Sequence, residues 1–101
     1  MENKKLGHIE INPHALTVIA NIAAEEVEGV SKLLGKKVYS KGVNLEFSGD
    51  ELIVDVFCNL KAGAPIAKVA AKIQENVRNS IYNMTEINTK SVNVNILGID
   101  F

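Results

Sequence analysis

A chain of 101 residues holds one domain, and 47% hydrophobic residues with 23% charged ones in near balance describe a globular core rather than a disordered tail. The net charge of −1 offers no global attraction to nucleic acid or to an anionic membrane, and with Arg78 as the sole arginine the clusters that grip phosphate are missing. One cysteine, Cys58, leaves no internal disulfide framework and no CxxC metal or redox pair.

MENKK, residues 1–5, reads as a flexible start, and a single domain is expected over 6–101. GHIEIN alternates, with Ile9 and Ile11 on one face of a short strand. Asn12-Pro13 then opens a helix, because Asn caps orphan amides and Pro suits the first helical position. From His14 to Glu28 the residues Leu16, Ile19, Ala20, Ala23 and Val27 fall at helical spacing. Val18 and Ile22 widen this stripe, which predicts burial over more than half the circumference, and Gly29 is a natural stop.

Residues 30–42, VSKLLGKKVYSKG, read as an irregular connection with a short extended piece at Val30 to Leu34. VNLEF and ELIVDVFCNL flank Ser48-Gly49-Asp50 and make a β-hairpin. In its second strand Leu52, Val54, Val56, Cys58 and Leu60 share one face, and Ile53, Asp55, Phe57 and Asn59 the other. After KAGAP, Pro65 opens a second helix with the stripe Ile66, Val69, Ala70, Ile73, Val77, Ile81 and Met84, and with Lys68, Lys72, Glu75 and Asn79 toward water. This helix is expected to fray near TEINTK, before a last strand with Val92, Val94 and Ile96 opposite Asn93 and Asn95.

The order β-α-β-β-α-β predicts an α+β two-layer sandwich, with two helices on one face of a mainly antiparallel sheet of about four strands. The other face, bearing Ile53, Asp55, Phe57, Asn59, Asn93 and Asn95, is then free for water or a partner.

Chemistry is sparse. Glu25 and Glu28 could share a helical face, and with Glu26 they crowd a helix C-terminus, where carboxylates oppose the dipole. No base or further ligand completes a site, so they read as a solvated end eased by Lys32, Lys36 or Lys37 or as part of a contact surface. His8 and His14 have no metal-ligand spacing to other residues, and Cys58 sits on the core face of its strand. Lys36, Lys37 and Lys41 surround Tyr39, too small a patch for single-stranded nucleic acid, and KAGAP carries no phosphate-loop fingerprint. No catalytic, cofactor or metal residues are therefore assigned. No apolar run approaches the ~20 residues of a membrane span, and the first residues lack a signal-peptide stretch, which predicts a cytoplasmic protein without direct membrane insertion.

Read together, GHIEIN, NPHALTVIANIAAEEVEGV, KGVNLEF, ELIVDVFCNL, IAKVAAKIQENVRNSIYNMT and KSVNVNILGI resemble the alkaline shock protein family of Gram-positive bacteria, over about residues 6 to 99. The resemblance implies a small cytoplasmic protein without catalytic residues, acting in envelope stress response and homeostasis through self-assembly and a membrane-anchored partner. For some members it implies a link to lipid synthesis, so a regulator that binds an enzyme of fatty-acid synthesis is the alternative, with an RNA-binding module ranked below it. Two positions depart from the family pattern: Lys61-Ala62-Gly63 stands where a tyrosine-glycine is expected, and Glu86 follows Met84-Thr85 where a glycine is expected.

Overall fold

A computed structural model of the chain describes residues 12–34 and 42–101. The expected first strand, with Ile9 and Ile11, lies outside the described residues. Those described run α1 (Pro13–Glu25), β1 (Val30–Leu33), β2 (Val43–Ser48), β3 (Glu51–Lys61), α2 (Ile66–Thr85) and β4 (Thr89–Asp100).

Helix α1 begins as its sequence predicts. The Asn12 side chain accepts a hydrogen bond from the His14 amide at 2.8 Å, and Pro13 occupies the first turn. The helix stops earlier than the spacing predicts, at Glu25 rather than Glu28. The amide of Val27 turns back to the Ala24 carbonyl at 3.3 Å, and this tightened turn drops Val27 into the core. Gly29 follows at φ +104°, and a Cβ there would lie 2.7 Å from Cγ2 of Val69, so both backbone and space call for glycine.

Strand β3 is the spine of the sheet. Its even residues from Leu52 to Leu60 are fully buried beneath the helices, matching the alternation of its sequence. β1 and β2 both pair with it antiparallel along one edge, β1 at Cys58 to Leu60 and β2 at Glu51 to Val56. Between them Phe57 donates its amide to the Gly42 carbonyl and accepts from the Leu34 amide, each at 2.8 Å. The β2–β3 hairpin closes through Gly49-Asp50, with Gly49 at φ +64°, the first central position where a two-residue turn favours glycine. The other edge of β3 pairs with β4 in parallel, as a strand returning through a helical crossover must. Two of the three pairings are thus antiparallel.

Both helices cover the same face. Leu16, Ala20, Ala23 and Ala24 of α1 meet Val69, Ile73, Val77 and Ile81 of α2 in one cluster with the even residues of β3. The Asn76 side chain ties the helices by donating to the Ala23 carbonyl at 2.6 Å. α2 does not fray at its end. Its chain turns at Glu86 in the left-handed region, φ 60°, with the Glu86 amide on the Tyr82 carbonyl at 2.7 Å, while the Thr85 hydroxyl bonds the Ile81 carbonyl.

One expectation for α1 is corrected. Val18 and Ile22 do not widen the buried stripe: they are 41% and 51% exposed, because the sheet and α2 occupy only one side of the helix and no third layer among the described residues covers the other. In α2, Ile66 and Met84 are likewise exposed, being at the two ends beyond the reach of the sheet.

Candidate functional site

The face of the sheet opposite the helices brings together the six residues expected there. Ile53, Asp55, Phe57 and Asn59 alternate along β3, all half-buried, and β4 sets Asn93 beside Asp55 and Asn95 beside Phe57. The Asn93 side chain donates to Oδ1 of Asp55 at 2.9 Å. That of Asn95 reaches the Val56 carbonyl at 3.3 Å. Ile53 and Phe57 are therefore apolar positions in a row whose polar neighbours already hold hydrogen bonds, Asp55 with Asn93 and Asn95 with the backbone.

At the far end of this face lies a cluster that spacing alone does not reveal. The Ser31 hydroxyl of β1 donates to Oδ2 of Asp100 at 2.5 Å, and Nδ2 of Asn59 donates to its Oδ1 at 3.1 Å. Three strands are thereby joined across β3. The Ser31 hydrogen bond first, then that of Asn59 and the charge of Lys32, holds the Asp100 carboxyl below the ordinary carboxylate range against the opposing effect of burial. Oδ1 of Asn59 is buried without a hydrogen-bond partner, and Gly98 leaves room for it: a Cβ at that position would stand 3.1 Å away. Ser31 and Asp100 are 69 residues apart, and nothing local marks them as partners.

The acids of the α1 end separate in space. Only Glu25 lies on the helix; Glu26 and Glu28 belong to the turn after it, so Glu25 and Glu28 do not share a helical face. Glu26 and Glu28 line an open groove of about 770 Å³ between this turn and the start of α2, with Lys61, Lys68 and Lys72 on its other wall. Lys36 and Lys37, with Lys41, Tyr39 and His8, lie outside the described residues. Among the described residues the one ion pair is Lys72 with Glu75, at 3.4 Å, so the glutamates share a groove with lysines but close no salt bridge. KAGAP forms the opposite lip of that groove, and Pro65 leaves α2 without a side-chain cap.

His14 is exposed on the first turn of α1. Cys58 is fully buried and burial raises its thiol pKa, so it packs as a small hydrophobe. No group of three or more His, Cys, Asp or Glu able to hold a metal occurs among the described residues. Nor is any helix among them long and apolar enough to cross a membrane.

A family model covers residues 1–101, that is, the whole chain. The chain belongs to the alkaline shock protein 23 family. That family is described as having a cell envelope-related function. YqhY of Bacillus subtilis (strain 168) is 39% identical over 99% of this chain and 82% of its own length. Spy1535 of Streptococcus pyogenes serotype M6 is 33% identical over 98% of this chain and 84% of its own. Both are named only as uncharacterized proteins. Among solved structures, MamM-CTD 215-293 aligns with a TM-score of 0.58 over 86% of this chain and 99% of that one, at 17% identity. A zinc form of a MamM CTD variant aligns equally well, at 16% identity over 88% of each chain. At such identities the likeness concerns the fold alone, a mixed α+β arrangement.

Proposed function

We propose that this member of the family is a non-enzymatic interaction module in cell-envelope homeostasis and stress response. It works in the cytoplasm by self-assembly and by binding a membrane-anchored protein through the open sheet face. The observation that carries this reading is the one-sided architecture. Both helices lie on one face of the sheet, and no element among the described residues lies on the other, where Ile53 and Phe57 stand in a row fixed by the Asp55–Asn93 bond and the Asn59–Asp100–Ser31 cluster. Side chains already held by neighbours lose little entropy when a partner arrives, and the apolar pair between them supplies the area to be buried.

In-cell cross-linking with the full chain tests this. Phe57→Ser with Asp55→Lys is expected to abolish cross-links to proteins of the membrane fraction while the purified variant still melts cooperatively. Cross-links of wild-type strength from that folded variant would show that the partner uses another surface.

A further inference from the structure

The outer side of α1 is a second surface that no element among the described residues covers, and its two ends are electrically opposite. Ala15, Val18 and Ile22 lie on it within one narrow arc, all exposed, and Glu25 and Glu26 extend the same arc at its C-terminal end. The residues on the buried side of the helix are Leu16, Ala20, Ala23 and Ala24. No Asp, Glu, Lys or Arg occurs in α1 before Glu25. The carboxylates of Glu25 and Glu26 sit at the negative end of the helix dipole, where each opposes it, and neither is paired among the described residues. The opposite end carries the positive pole and the exposed His14.

We infer that this stripe docks onto a second copy of the chain, with the two α1 helices antiparallel about a two-fold axis level with Ala20. Each residue then lies level with the one equally far on the other side of Ala20. Val18 meets the partner's Ile22, and Ile22 the partner's Val18. By their angle around the helix, about 100° per residue, His14 falls beside the partner's Glu25 and Ala15 beside the partner's Glu26, each within one residue of level.

The carboxylates that oppose the dipole of their own helix thus fall at the positive end of the other, where negative charge is stabilising. A two-fold contact needs a surface complementary to itself, and a stripe that is apolar in the middle, acidic at one end and positive at the other has that property. The small Ala15 leaves room at each end for the incoming acid. One helix pair buries less than the roughly 1,200–2,000 Å² of a stable interface, so the dimer is a weak one, with a dissociation constant on the order of micromolar.

This deepens the self-assembly part of the proposed function and uses a surface separate from the open sheet face. Sedimentation equilibrium of the full chain across a concentration series tests it. Wild type is expected to pass from the 11.0 kDa monomer to a dimer. Ile22→Asp is expected to weaken the dimer by about a hundredfold or more, as a charge in the centre of a small contact does.

Glu25→Lys with Glu26→Lys separates contact from folding. It removes the opposition to the helix's own dipole and so raises the melting temperature of the monomer, while weakening the dimer by about tenfold or more. Adding His14→Asp to that variant returns complementary charges and is expected to recover most of the loss. A wild type that stays monomeric up to about 500 µM overturns the inference, because a weak specific dimer would be populated there. So does a dimer unmoved by Ile22→Asp. A dimer lost in Phe57→Ser instead would place self-association on the sheet, whereas cross-linking to the membrane fraction reports on the sheet face whether or not α1 pairs.

Discussion

Helix α2 turns Lys68, Lys72, Glu75, Arg78 and Asn79 to water along its outer side, whereas α1, beside it on the same sheet, turns Ala15, Val18 and Ile22 outward. Both bury four residues against the sheet and each other. The difference lies wholly in what the far side carries. An outer side rich in charge declares that water is its permanent neighbour. One without charge is equally compatible with a third layer, a partner or a small exposed apolar patch, and only the surrounding chain decides which. In this fold no third layer is present among the described residues, so α1 is the helix with contact surface to spare.

The sharpest way to break this comparison is to truncate one isoleucine on each helix. Ile73→Ala removes a fully buried side chain of α2 and is expected to cost about 2–5 kcal/mol, through lost burial and the cavity left behind. Ile22→Ala on the outer side of α1 is expected to change monomer stability by no more than about 0.5 kcal/mol. Urea unfolding at low protein concentration reads both. A loss near 2 kcal/mol for Ile22→Ala would mean that the outer side of α1 is covered within the protomer, and the distinction between the helices would fall.

What could be read from the residues follows the same division. The alternation of β3 named its buried and open faces residue by residue, and so placed Ile53, Asp55, Phe57 and Asn59 beside Asn93 and Asn95. The four-residue β1 is too short for a period to stand out and read only as an extended piece. The end of α1 misled because Val27 occupies a helical phase even though a turn, not the helix, delivers it to the core. Val18 and Ile22 misled for the reason above: hydrophobic spacing measures the width of an apolar stripe but not how much of it the rest of the fold can reach. The Ser31–Asp100–Asn59 cluster was invisible, since it exists only where β1, β3 and β4 meet.

The helices also end differently, and Glu86 sharpens that contrast. Where α1 leaves through Gly29, α2 leaves through Glu86, the one non-glycine residue at positive φ among the described residues. Left-handed geometry costs a residue with a Cβ roughly 1–2 kcal/mol, partly offset by the greater freedom glycine has when unfolded. Glu86→Gly, which restores the residue the family resemblance implies there, is expected to stabilise the domain by up to about 1 kcal/mol. For a domain of this size that raises the melting temperature by roughly 4–8 °C per kcal/mol, within reach of calorimetry. No gain would mean that the side chain of Glu86 makes a compensating contact.

The smallest effect belongs to the charged side of α2. Lys72 and Glu75 stand 3.4 Å apart, but both side chains are more than half exposed, so water screens the pair and holding two long side chains in place offsets much of the attraction. Glu75→Gln is expected to shift stability by less than about 0.5 kcal/mol, and the shift should vanish in high salt. It should also leave the sedimentation profile of the full chain unchanged, since the charges of α2 face water and take no part in the contact proposed for α1. If Glu75→Gln altered self-association as strongly as Ile22→Asp, the partner copy would be reaching α2, and the assignment of water to one helix and contact to the other would have to be reversed.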